Sequence, residues 1–185
     1  MAGDALSMRT INAASSALLV IDFQSRLMPS IEEGVAVLAN ARLLVDAAAL
    51  LDVPCLFTEQ YPRWLGPTVL SLQPGPAVPT LAKMTFDAGR ASGFATALPN
   101  RATLVVTGCE AHVCVLQTVL GLLEAGRNVA VARDAIGSRR AESKETALRR
   151  MERHGAEIVT AEMVVFEWIG TAEHPRFRDA IALVK

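Results

Sequence analysis

The chain has few of the residues that stapled or metal-held domains depend on. It carries three cysteines and three histidines in 185 residues. An odd set of thiols cannot all pair, and none lies in a closely spaced framework. Free thiols in a reducing, cytoplasmic compartment are therefore expected. Positive charge is not in excess: 18 Lys and Arg stand against 19 Asp and Glu. With no basic stripe, nucleic acid is not expected as the main ligand. No apolar run reaches the roughly 18 residues of a membrane span, so no membrane partner is expected. The opening "MAGDALSMRTINAASS" lacks the basic flank and long apolar stretch of a secretory signal, and residues 1–15 read as a loose tail.

What is present is apolar and regular. About half the residues (51%) are hydrophobic, chiefly Ala, Val and Leu, and 20% are charged, the balance of a globular chain. One domain over residues 16–185 accommodates that core. "SALLVIDFQ" (Ser16–Gln24) reads as a buried strand ending in an acid, and "VAVLANARLLVDAAALLDV" has helical spacing. "VPCLFTEQ" (Val53–Gln60) is a second strand. Prolines and glycines from Pro62 to Pro79 then mark a long irregular segment. "ATLVVTG" (Ala102–Gly108) is the clearest strand, followed by a helix that stops at Gly126. "RNVAVARDAIG" is a further strand and "RAESKETALRRMERHG" a polar-faced helix. "AEIVTAEMVVFEWIG" turns helical after Thr160, a good N-cap, and "PRFRDAIALVK" ends in a short helix. Alternating strands and helices imply an α/β fold with a parallel sheet covered on both faces. Ligands in such folds bind beyond the carboxyl ends of the strands.

Three residues stand out at those ends. Cys114 opens a helix, where the dipole and unpaired N–H groups favour thiolate over thiol. Asp22 is a carboxylate closing an apolar strand, costly to desolvate without a partner or a role. Lys83 is an isolated cation in "PTLAKMTFDA". Each has a plain structural reading, as a packing cysteine, a capping acid and a surface lysine. Together they form a nucleophile, a base and a cation. Cys109, at the strand end, reads as a packing residue.

Four segments, "LLVIDFQ", "TEQYPRWLGPTV", "LAKMTFDA" and "VVTGCEAHVCVLQTVLGLLEAGRNVAVARDAIGSR", occur in this order over nearly the whole chain. In that order and spacing the chain resembles the isochorismatase-like cysteine hydrolases, and most of all the small branch distinct from the metal-binding nicotinamidases. The resemblance implies a three-layer α/β/α sandwich on a mostly parallel, Rossmann-like sheet. It implies Cys114 as nucleophile, Asp22 as general base and Lys83 as the steadying cation. It further implies a non-proline cis peptide at Glu110–Ala111, and an oxyanion hole of the Ala111 and Cys114 backbone N–H groups. The reaction implied is hydrolysis of a small amide-like C–N bond through a thioester, by a homo-oligomer that needs no cofactor.

The metal-binding members carry an Asp-x-His pair that is missing between Asp22 and Lys83, so no metal is expected. Cys109, His112 and Cys114 would give three ligands without a nearby fourth. A redox pair of Cys109 and Cys114 lacks the Cys-x-x-Cys spacing. Pocket candidates are Phe23, Gln24, Tyr61, Trp64, Glu110 and His112. For Gln24, Glu110 and His112 the alternatives are bracing the backbone, a salt bridge and simple packing. A non-catalytic oligomeric scaffold that kept the fold is the alternative for the chain as a whole.

Overall fold

The computed structural model describes residues 10–185. Six strands form one sheet in the order β3-β2-β1-β4-β5-β6, every neighbouring pair parallel. They are β1 (Ser16–Ile21), β2 (Cys55–Gln60), β3 (Thr80–Lys83), β4 (Thr103–Cys109), β5 (Asn128–Gly137) and β6 (Glu157–Val159). This is the doubly wound order, whose chain reverses direction across the sheet between β1 and β4. The expected α/β/α sandwich is thus present, with a sheet that is wholly parallel.

All six residues of β1 are buried, because helices cover both faces. Leu18 and Val20 enter one core layer, and Ala17, Leu19 and Ile21 the other. The first layer is roofed by α1 (Gly34–Leu50), α6 (Ala161–Ile169) and α7 (Phe177–Val184). Helix α1 turns Val37, Ala41, Leu44, Ala47 and Ala48 inward, spaced by three and four residues. The second layer is roofed by α4 (Leu116–Glu124) and α5 (Ala141–Arg153). Helix α5 carries Glu142 in its first turn and Arg150 and Arg153 in its last, each opposite in sign to the nearby end of the helix dipole. Thr160 caps α6, its hydroxyl accepting from the Met163 N–H at 3.2 Å.

Two regions differ from the sequence reading. The proline-rich segment is folded rather than irregular throughout. It holds the short helix α2 (Pro62–Leu65) and a 3₁₀ turn (Leu70–Leu72) that buries Leu72. The four-residue strand β3 then pairs Lys83 with Gln60. Four residues are too few to display a period of two, so composition alone did not reveal this strand. Residues 1–9 of the expected loose tail lie outside the described residues. Within residues 10–15, Ile11 is buried and its N–H donates to Glu167 Oε2 at 2.6 Å, while Thr10, Asn12 and Ala14 are exposed. Among the described residues no helix is long and apolar enough to cross a membrane.

One glycine is needed at the switch between β1 and β4. A Cβ on Gly108 would lie 2.6 Å from both the Cβ and the carbonyl oxygen of Ile21. Gly108→Ala should therefore force the two central strands apart. It should destabilise the chain by about 1–3 kcal/mol, the usual range for overpacking. A lowered midpoint in urea with an unchanged slope is the expected result.

Candidate functional site

The carboxyl ends of β1, β2, β3 and β4 converge on one cluster. Asp22 follows β1 in the left-handed region (φ 54°), and its N–H donates to the Thr58 carbonyl at 3.1 Å. That turn aims its side chain across the strand ends. Lys83, the last residue of β3, reaches over β2 and donates to Asp22 Oδ2 at 2.7 Å. Both side chains are fully buried. Thr58 on β2 donates its hydroxyl to Asp22 Oδ1 at 2.7 Å. The ammonium also donates to Gln60 Oε1 at 2.7 Å and faces the carbonyls of Thr85 (3.3 Å) and Phe86 (3.5 Å). A buried ion pair offsets its desolvation only when its remaining donors and acceptors are satisfied in this way.

Cys114 comes to this cluster from β4. The chain leaves the strand at Cys109 and enters a π turn, Ala111–Val115, before α4. The Glu110 carbonyl accepts from the N–H groups of Val113 (3.0 Å) and Val115 (3.2 Å). Cys114 Sγ lies 4.0 Å from Gln60 Oε1, and the residue is 6% exposed. Burial, with the Asp22 carboxylate adding to it, pushes the thiol pKa up to about 12, while Lys83 pulls it down. The thiolate expected from the helix dipole is therefore not the resting form. Desolvation is the largest of these effects, and Cys114 is a thiol beside a carboxylate.

The non-proline cis peptide is the Cys109–Glu110 bond, one residue earlier than the expected Glu110–Ala111. The reversal begins at the last strand residue, and Ala111 is already inside the π turn. Among the described residues, the N–H groups of Ala111 and Cys114 have no hydrogen-bond partner outside this turn.

The other candidates divide. Gln24 is fully buried and grips both backbone groups of Gln60, donating to its carbonyl at 3.0 Å and accepting from its N–H at 2.8 Å. Phe23 is not brought to the cluster. It is buried in the α1 layer, whereas Cys114 belongs to the α4 layer across the sheet. Tyr61 donates its N–H to the Lys83 carbonyl at 2.8 Å and is 43% exposed; Trp64 on α2 is 69% exposed. His112 Nδ1 meets Ser138 Oγ at 2.9 Å and lines a cavity of about 350 Å³ with Arg140 and Arg150, to which Cys114 does not contribute. A second cavity, about 410 Å³, is lined by Thr85, Phe86, Asp87 and Gln117, and Asp22, Lys83 and Cys114 do not contribute to it.

Cys109 and Cys114 are free and lie on opposite faces of the sheet, with Cys109 Sγ 3.8 Å from Met28 Sδ. Among the described residues no group of three or more His, Cys, Asp and Glu side chains could hold a metal ion. Sequence reasoning missed Gln60 and Thr58. Their signal was in "TEQ" at the end of a strand beside Asp22, but neither residue type announces chemistry.

The isochorismatase domain model matches residues 16–163. Isochorismatase domain-containing protein 2A of Mus musculus is 35% identical over 188 residues, covering all of this chain and 90% of that protein. The solved structure of MAR1 ribonuclease from Caenorhabditis elegans superposes with a TM-score of 0.90 at 36% identity, covering 95% and 92% of the two chains. The YcaC gene product of Escherichia coli, described as an octameric hydrolase of unknown specificity, gives 0.86 at 25% identity, covering 95% and 87%. The chain belongs to the isochorismatase domain family, as the resemblance of its four segments implied.

Glu110 supplies the testable feature of the turn. Its buried carboxylate accepts from the Arg139 backbone N–H at 2.9 Å and from the Arg139 guanidinium at 2.7 Å. Burial alone would raise its pKa, but the bonds and charge of Arg139 outweigh burial and lower it. At pH values near the unfolded carboxyl pKa, the folded chain thus binds fewer protons than the unfolded one. The stabilisation is complete above that pKa, about 4.3, and fades as pH falls below it. Arg139→Ala should destabilise the chain by about 0.5–1.5 kcal/mol at neutral pH, because solvent screens the exposed guanidinium and the backbone N–H bond to Glu110 remains. The difference from the native chain should shrink on acidification through that window, read from urea melts at several pH values.

Proposed function

We propose that this member of the family is a cysteine hydrolase of a small amide-like C–N bond, working through a thioester. Asp22 takes the Cys114 thiol proton as sulfur attacks the carbonyl carbon. The Ala111 and Cys114 N–H groups receive the oxyanion, for which such donors typically contribute a few kcal/mol. The C–N bond breaks as Asp22 returns the proton to the leaving amine. Asp22 then removes a proton from water, whose oxygen attacks the thioester; the C–S bond breaks, Asp22 returns the proton to sulfur, the acid leaves and the Cys114 thiol is restored. Lys83 holds the carboxylate in place and offsets negative charge at sulfur.

One observation carries this reading: a buried thiol meets a fully buried Asp–Lys pair where three strands end. A resting thiol suits a general base, since the proton must move when substrate arrives. The chain is further proposed to act on a small molecule as a homo-oligomer. Exposed Trp64, Met84 and Phe86 near the site and the octameric E. coli relative support that assembly. The likeness to a ribonuclease favours a second reading, cleavage of RNA by the same cluster.

The experiment is a screen of small amides and carbamoyl compounds, with an RNA arm, using the native chain, Cys114→Ala and Asp22→Asn. Cys114→Ala should abolish turnover. Asp22→Asn should lower it about 10²- to 10⁴-fold, the range for a positioned proton-transfer group. Intact-mass analysis should catch an acyl adduct on Cys114. Full turnover by Cys114→Ala would sink the reading.

A further inference from the structure

The Asp-x-Gln spacing after β1 does two jobs at once. Asp22 binds Lys83 Nζ at 2.7 Å, while Gln24 clamps the backbone N–H and carbonyl of Gln60. The same Gln24 amide also donates to the Gly66 carbonyl at 2.7 Å, which ties the clamp to the segment after α2. Gln60 closes the circuit. Its Nε2 donates to the Met84 carbonyl at 2.9 Å, and its Oε1 accepts from Lys83 Nζ at 2.7 Å. The two bonds fix which way the amide points: an ammonium has only donors and a carbonyl only acceptors, so the opposite orientation would set like against like twice. That same Oε1 is the atom 4.0 Å from Cys114 Sγ.

We infer that Gln60 is a positioning residue of this site, occupying one donor of the Lys83 ammonium beside the sulfur with a neutral side-chain oxygen that Met84 orients and that also accepts from the Cys114 thiol; this rests on the cysteine-hydrolase reading. The oxygen is neutral, and that matters. Lys83 faces one carboxylate and one amide, so a single negative charge stands against its positive one. The charged groups that act on the sulfur are Asp22 from the end of β1 and Lys83 from the end of β3. A carboxylate at position 60 would compete for the ammonium and add a negative charge about 4 Å from the thiol, a separation at which charges interact strongly away from bulk water. Removing the oxygen while keeping a chain of similar length has the opposite effect. The thiol loses an acceptor, and the ammonium is left with a free donor to bond the thiolate.

The test needs no substrate. Alkylation of Cys114 by iodoacetamide in the full chain is followed by mass spectrometry from about pH 6 to about pH 10, because the thiolate is the reacting form. A thiol that ionises less readily gives less thiolate, but that thiolate is the stronger nucleophile. The two effects partly cancel, so a tenfold change in thiolate fraction should move the rate about threefold. Gln60→Glu should be slower than the native chain by about three- to tenfold across the range. Gln60→Met should be faster by about threefold. Loss of packing alone would move both variants the same way, so opposite directions are the signature of charge and positioning. If Gln60→Glu does not fold, Gln60→Met decides by itself. Rates that coincide with the native chain, or that fall together, overturn the inference. Absence of label in the native chain and in both variants overturns the role of Gln60, whereas the hydrolase reading falls with full turnover by Cys114→Ala. Normal labelling with unmoved variants overturns the role of Gln60 alone.

Discussion

Everything at the mouth of this sheet is arranged around one buried ion pair. Neither Lys83 nor Asp22 keeps any side-chain exposure, and an isolated charge there would lose hydration worth several kcal/mol. The surrounding groups replace that hydration. Thr58 gives Asp22 a second bond, Gln60 gives Lys83 one, and the carbonyls of Thr85 and Phe86 face the ammonium. The pair also ties three strand ends together, since its partners sit on or just beyond β1, β2 and β3. The sheet positions the pair, and the pair in turn fixes the geometry of the strand ends.

Against that background the state of Cys114 follows from competition. A helix start favours the anion, and Lys83 favours it too, but burial and the Asp22 charge favour the thiol. Desolvation wins in the resting chain. A thiolate at rest would need a more open site or a cation without its own carboxylate. Here the carboxylate occupies the cation and is placed to receive a proton. The chemistry proposed for the site is thus the chemistry of a proton in transit, not of a stored anion.

Much of the fold was legible in the sequence, for identifiable reasons. β1 and β4 are long apolar runs with an abrupt end, α5 has a charged face and complementary end charges, and Thr160 is a cap followed by helix formers. β3 was not legible, because four residues after a proline-rich stretch carry no period. The Asp22, Lys83 and Cys114 cluster came from residue types that are conspicuous in apolar surroundings and from the family resemblance. The supporting residues were harder to find. Gln60 and Thr58 are ordinary strand residues until the parallel register sets them beside Lys83 and Asp22. Phe23 misled because adjacent residues after a strand leave on different sides: Asp22 turns to the cluster and Phe23 to the α1 layer. The placement of the cis bond followed the resemblance too closely, since only backbone coordinates locate the end of β4.

The separation of the two neighbouring thiols bears on how this protein meets oxidants. Cys109 lies behind the sheet against Met28, and Cys55 opens β2 at the far end of the strand from Cys114. A sulfenic acid formed on Cys114 would find no resolving cysteine within its own chain. Its recovery would fall to a small thiol arriving from solution, at a residue that is only 6% exposed.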